Sequence, residues 1–391
     1  MSKNIIFCAD GTWNTVNPSV EVTPQGSTNV YKLFTLLQGG VIPSTVKKEG
    51  GDVVEIEKAK TTGDILQVAK YINGVGNSKS KIQRLFGGGF GAGLVKRIVR
   101  GFTYISRNYE PSDKIYIIGF SRGAYTARAL AGMIASQGLL NQEFIRGSSD
   151  AYKLGTQAWY RYRKSVKGKA DNWLPDFMTA VLNSDVGDFL SNDFKPGDFI
   201  EVDNIKTVAV WDTVGAMGIP NFELEEGEVK IKDTFAFVDN ILSSKVNAGF
   251  HAVALDEQRL LFTPTLWDPR EGVKQMVFPG GHSDVGGGYI EKGLSDAALE
   301  WFIQELFMQG VQFGNWRSQV SPDCSVPAHQ EWRNLTGLTK NVRKFHPDSN
   351  ILEHTSIQKR KGQGNVVHHR DENEPKSYDL KPYVPTNWPP V

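Results

Sequence analysis

The sequence predicts an α/β fold: a mostly parallel central sheet with helices on both faces. Three observations predict it. Short apolar runs alternate with amphipathic stretches through the first 310 of the 391 residues. Four of these runs end in or just before a reactive side chain, Asp10, Ser121, Asp212 and His282, and in parallel sheets function gathers beyond the carboxyl ends of strands. One run-to-helix junction reads Gly119-Phe120-Ser121-Arg122-Gly123, with a small residue two places either side of a serine.

Taken in order, residues 3–9 form an apolar run that breaks at Asp10-Gly11-Thr12, as a buried strand ending in a turn does. Residues 28–38 place Val30, Leu33, Phe34 and Leu37 at helical spacing, and Gly39 stops them. The stretch 41–62 is polar and reads as irregular, and 67–75 reads as a second strand. Residues 94–109 carry Leu94, Val95, Ile98, Phe102 and Ile105 on one helical face. The clearest strand is 114–120, followed by a small-residue helix over 123–137. An aromatic and basic helical insertion spans 141–200. Residues 204–210 read as a strand closed by Trp211-Asp212-Thr213, 233–252 as a helix containing His251, and 275–278 as a last short strand. Residues 295–308 form an amphipathic helix with Ser295 as its N-cap. Beyond 310 the chain turns polar and rich in proline. The expected organisation is therefore a catalytic domain over 1–310 and an extension over 311–391, packed on that domain or partly disordered.

Composition narrows the function. Forty-four Lys+Arg against 43 Asp+Glu give a net charge of +1, which argues against a broad basic surface for nucleic acid. Two cysteines, Cys8 and Cys324, are too few for a disulfide framework or a Cys-based zinc site. The amino-terminal apolar run is too short for a signal-peptide core, and no stretch approaches the ~18 apolar residues of a membrane span. The expected location is cytoplasmic, with export that uses no cleavable signal left open.

The chemistry centres on Ser121. A serine on a tight strand-to-helix turn is pushed outward. Gly119 and Gly123 leave room for that turn, and the following helix offers the Arg122 backbone N–H to a developing oxyanion. A nucleophilic serine needs a base, and the base needs an orienting carboxylate. Asp212 and His282 follow in the order Ser, Asp, His of α/β-hydrolases, each on a post-strand loop. The fold class becomes an α/β-hydrolase-like three-layer fold with the 141–200 insertion as a lid. Among the seven histidines, five lie in the tail and His251 reads as a packed or capping residue. Asp284 competes with Asp212 as the orienter. Gly11 and Thr12 are the second backbone donors to the oxyanion, with Asp10 holding their loop; a plain Asp-Gly turn is the alternative. Other signals are weaker. The glycine run 87–93 matches a relaxed dinucleotide pattern without a convincing strand before it. His282 with Asp284 lacks a third metal ligand, so neither cofactor nor metal is expected. The basic run 161–169 beside Trp159, Tyr160 and Tyr162 suits lipid headgroups or, more ordinarily, a solvated helix face. Asp256, Glu257 and Arg259 read as a structural ion-pair cluster.

Five blocks resemble one known family: FCADGTWN (7–14), IYIIGFSRGAYTARALAGMI (115–134), VAVWDTVGAMG (208–218), HAVALDEQRLLFTP (251–264) and FPGGHSDVGGGY (278–289). The chain is similar to the α/β-hydrolase domain-of-unknown-function family that includes catalytic domains of type VI secretion phospholipase effectors (Tle-type lipases). The resemblance implies a Ser-Asp-His hydrolase with those roles on Ser121, Asp212 and His282. It implies an ester substrate, first a phospholipid, with peripheral membrane contact and a secretion-system or immunity partner. The other readings are an esterase for small soluble esters, a non-catalytic binding or assembly module, and a nucleotide-binding enzyme using the 87–93 loop.

Overall fold

The computed structural model describes residues 2–11, 26–49, 52–74, 89–145, 150–167, 194–214, 221–225, 228–232, 240–333, 340–369, 379–385 and 387–389. In chain order the strands are β1 (Lys3–Ala9), β2 (Gly40–Val41), β3 (Lys47–Glu49), β4 (Asp52–Lys60), β5 (Leu66–Ile72), β6 (Lys114–Phe120), β7 (Leu139–Leu140), β8 (Phe199–Ile200), β9 (Ile205–Trp211), β10 (Asn221–Glu225), β11 (Glu228–Lys232), β12 (Val246–Ala254), β13 (Val273–Phe278), β14 (Ile351–Glu353), β15 (Asn365–Val367) and β16 (Leu380–Pro382). The helices are α1 (Asn29–Leu36), α2 (Gly89–Asn108), α3 (Arg122–Gln137), α4 (Gln142–Ile145), α5 (Ala151–Lys167), α6 (His282–Gly286), α7 (Gly293–Met308) and α8 (Thr355–Lys361).

The main sheet runs β14-β13-β12-β9-β6-β1-β5-β4-β2, with β3 beside β4. From β14 to β5 every neighbouring pair is parallel. Beyond β5 the pairing turns antiparallel. The chain leaves β1 toward β5, then returns to the other side of β1 as β6. Sheets with such a reversal hold ligands beyond the carboxyl ends of the strands that flank it, here β1 and β6.

Strand periodicity assigns side chains to the two outer layers. Ile5 and Phe7 of β1 and Ile115 and Ile117 of β6 face a core built with α2, α3 and α5, around Leu94, Phe102, Leu130 and Trp159. Ile6, Cys8, Tyr116 and Ile118 face the opposite core, with Leu33 and Phe34 of α1 and Trp301 and Phe302 of α7. The result is the three-layer α/β fold expected from the sequence.

Three stretches differ from expectation. Residues 246–254, expected as part of a helix, form β12; a strand buried on both faces shows no alternation, so its small apolar residues imitate a helical stripe. The stretch expected as irregular at 41–62 holds β2, β3 and β4. Its strand character is masked by charges that are paired across the sheet: Glu55 of β4 bonds Lys70 of β5 at 2.8 Å and also Arg100 of α2. Helix α7 begins at Gly293, capped by Lys292, so Ser295 lies inside it and its hydroxyl donates to the Lys292 carbonyl. Much of the 141–200 insertion, including Trp173, Leu174 and Phe177, lies outside the described residues. Its described helix α5 packs on α2 and α3 through Trp159 and Tyr162.

The polar segment after 310 is built into the structure where it is described. Strand β14 extends the sheet in parallel with β13. Phe345, Ile351, Ile357, Val366, Tyr383 and Trp388 form a third core with Val253, Leu255 and Val277 at the ends of β12 and β13.

Candidate active site

Ser121 stands at the end of β6 with φ 57° and ψ −121°, a backbone conformation that an L-residue adopts only when its surroundings impose it. The surroundings are visible. A Cβ on Gly119 would lie 2.2 Å from the Gly123 carbonyl oxygen, and one on Gly123 would lie 2.1 Å from that of Ala9. The two small positions are thus required by backbone-to-backbone approach, and they press α3 against the end of β1. The Ser121 N–H donates to the Trp211 carbonyl at 3.0 Å, tying the turn to the end of β9. Arg122 opens α3, so its backbone N–H is among the helix-end donors that lack an intrahelical acceptor.

Asp212 follows β9 in a left-handed conformation, φ 38°, and is fully buried. Its Oδ2 accepts from His282 Nδ1 at 2.5 Å. Its Oδ1 accepts from the Ala254 N–H at 2.9 Å. Arg343 spans both oxygens, Nη1 to Oδ1 at 2.6 Å and Nη2 to Oδ2 at 2.9 Å. These positive and donating neighbours outweigh burial and hold the carboxyl well below the usual range. His282 opens α6, and burial pulls its imidazole below its ordinary value although Asp212 opposes the shift. The His282 N–H donates to Glu257 Oε2 at 3.1 Å, which fixes the start of the helix. The Phe120 ring packs on the His282 ring with centroids 4.6 Å apart, and Phe262 meets its edge at 4.8 Å. Ser121 directly follows Phe120, the residue whose ring packs on His282.

Asp284 does not compete for His282. Its Oδ1 pairs with His329 Nδ1 at 2.8 Å, and its Oδ2 accepts from the Gly281 and His329 backbone N–H groups. His251 sits in β12 rather than a helix. Its Nε2 accepts from the Thr213 N–H at 3.1 Å, and burial lowers its pKa to about 3, so it is a neutral prop beneath the Asp212 turn. The expected cluster at 256–259 separates into two. Glu257 pairs with Arg259 at 2.8 Å, while Asp256 accepts from the Gly280 N–H and the Tyr383 hydroxyl.

The first-strand turn lies against the serine: a Cβ on Gly11 would be 3.3 Å from Ser121 Cβ. The Gly11 N–H, however, donates to Asp10 Oδ1 at 2.6 Å, so this donor is already engaged. Asp10 Oδ2 accepts from Thr28 Oγ1 at 2.7 Å and from the Tyr71 hydroxyl at 2.6 Å. Burial raises its pKa to about 6 against those three donors. Asp10 therefore anchors the turn. Thr12 lies outside the described residues.

Among the described residues no three His, Cys, Asp or Glu side chains gather as a metal site, and no helix is long and apolar enough to cross a membrane. A cavity of about 420 Å³ is lined by Asp256, Gly280, His329, His368, Lys381 and Tyr383. Ser121, Asp212 and His282 are not among its walls. Sequence reasoning missed Arg343 and the Glu257 contact. Arg343 sits in a polar stretch between Lys340 and Lys344 that resembles any solvated basic segment, and no local pattern marks it.

The family model described as "T6SS, Phospholipase effector Tle1-like, catalytic domain" matches residues 3–305. The chain is 29% identical over 286 residues to the "Uncharacterized protein YEL023C" of Saccharomyces cerevisiae; the match covers 68% of this chain and 34% of the yeast protein. A solved structure of the Tle1 effector bound to the VgrG spike from the Type 6 secretion system aligns over 74% of this chain and 51% of that one, at 18% identity and a TM-score of 0.35. The chain thus spans about a third of the yeast relative and about half of the effector.

Proposed function

Since the chain belongs to the Tle1-like catalytic-domain family of type VI secretion phospholipase effectors, we propose that it is a serine hydrolase cleaving the carboxylic esters of phospholipids through Ser121, His282 and Asp212. The observation that carries the reading is the 2.5 Å bond from His282 Nδ1 to buried Asp212, set against a strained serine turn. With Nδ1 committed to Asp212, the imidazole offers Nε2 as base. Ser121 Oγ attacks the acyl carbonyl while Nε2 takes its proton. The carbonyl oxygen becomes an oxyanion facing the amino-terminal N–H groups of α3. Collapse expels the alcohol, which leaves with the proton from Nε2, and an acyl-enzyme remains. Water then attacks, gives a proton to Nε2, and releases the fatty acid as Ser121 regains its proton. Asp212 stays ionised throughout and stabilises the imidazolium.

The family relation favours a phospholipid over a small soluble ester, and components of a secretion apparatus are the corresponding partners. The test is hydrolysis of short-chain and long-chain nitrophenyl esters and of phosphatidylglycerol/phosphatidylethanolamine vesicles by wild type and Ser121→Ala. Fatty-acid release from vesicles is expected, with a loss of about 10⁴-fold or more in the variant. Turnover of short esters only would discard the membrane substrate. Turnover that persists in Ser121→Ala would overturn the mechanism.

A further inference from the structure

The family match ends at residue 305, yet the carboxylate beneath His282 is gripped by a side chain from 38 residues further on. We infer that Arg343 is a positioning residue of the hydrolytic site, which orients Asp212 and neutralises its charge so that His282 rests as the free base. The inference rests on the proposed serine mechanism and deepens it.

The geometry is that of a built socket. The Arg343 side chain is 3% exposed. Two parallel N–H···O bonds fix the plane of the Asp212 carboxylate, as only a guanidinium can. The remaining donors of Nη1 and Nη2 go to the Ala254 and Phe262 carbonyls. Asn387 bonds both the Arg343 and Leu255 carbonyls, which holds this segment to the end of β12. A surface arginine serving only to attach the tail would have no need of the carboxylate that bonds the His282 ring.

The charge count gives the consequence. In a bare Asp-His pair the carboxylate attracts the imidazolium undiminished. Here Asp212 and Arg343 sum to zero before the imidazole is protonated, so that attraction is weaker. The other charges facing the ring are Glu257 and Arg259 from the loop after β12, and they pair with each other. Asp284 on the ring's own helix is turned to His329, and His251 under Asp212 is held uncharged by burial. Arg343 is therefore the cation bonded to the dyad's own carboxylate. Removing it should make His282 easier to protonate.

The test compares wild type, Arg343→Ala and Arg343→Lys, with circular dichroism and thermal melting to select conditions in which each is folded. The His282 ring is titrated by NMR, and the rate of fluorophosphonate labelling at Ser121 is followed against pH. The expected result for Arg343→Ala is a His282 titration moved to higher pH by about one unit. The acid limb of labelling should move with it, and the plateau rate should fall about tenfold or more. Added guanidinium should restore both. Arg343→Lys should keep the His282 titration near wild type, because a cation remains, while losing rate because the two-point grip is gone. A folded Arg343→Ala protein with unmoved titration and limb overturns the inference, as does a Lys variant that behaves like Ala. If wild type is not labelled at all but the NMR shift on Arg343→Ala is present, the serine-hydrolase reading fails and the charge role of Arg343 stands.

Discussion

His282 carries two opposed influences, burial that disfavours the imidazolium and Asp212 that favours it, and burial prevails. The free base is the form the proposed mechanism needs. Hydrolysis should therefore be retained as pH falls below the ordinary histidine value of 6.5, and be lost only as pH passes the lowered value in the folded protein. A pH profile of kcat/KM measures this, and an acid limb above 6.5 would contradict the assignment. Asp212 should add no limb in the usual working range, because Arg343, His282 and the Ala254 N–H hold its ionised form. Of the residues that attract attention in sequence, Asp212 and His282 bond each other and Ser121 follows the Phe120 that packs on His282, while Arg343 and Glu257 emerge only in three dimensions. A nucleophile turn is a local pattern. An arginine 131 positions from its carboxylate is not.

The strand–turn–helix unit of β6 and α3 shows how packing of an element imposes composition. Gly119 and Gly123 are needed because backbone meets backbone there, and no side-chain rearrangement could make room. Gly123→Ala should force α3 away from the Ala9 and Asp10 carbonyls and cost about 3 kcal/mol or more. Chemical denaturation would read that loss, and a near-neutral effect would show that the approach of α3 to β1 is looser than described. The same unit is readable in the sequence because a turn motif, the apolar run at 115–120 and a small-residue helix agree with one another. Strand β12 was not readable, since burial on both faces removes the alternation that distinguishes a strand. Strands β3 and β4 were obscured by charges whose partners lie on neighbouring strands and on α2.

At the level of the complete chain, the carboxyl-terminal segment matters as much as the matched domain. It supplies a strand to the sheet, a third core and the arginine on Asp212. Trp388 anchors that core against Phe345 at 5.8 Å and is 9% exposed. Trp388→Ala should cost about 3 kcal/mol, and because Arg343 is attached to the same layer, the variant should lose the proposed esterase activity at temperatures where the rest of the sheet is still folded. Parallel thermal scans of activity and circular dichroism would show the two transitions separate. Coincident transitions would mean that the segment and the main sheet unfold as one unit.

Local order in the chain was enough for the α/β class, for the parallel strands that follow clear apolar runs, and for the order Ser121, Asp212, His282. These depend on neighbours in sequence: hydrophobic runs, turn residues, and the steric demand of a tight elbow. Which carboxylate meets which imidazole needed the tertiary structure, for it sent Asp284 to His329 and Asp212 to His282. So did the engagement of the Gly11 N–H by Asp10 and the insertion of Arg343 under Asp212. Hydrogen bonds between distant residues depend on where the folded chain carries each group, and no spacing along the sequence encodes that.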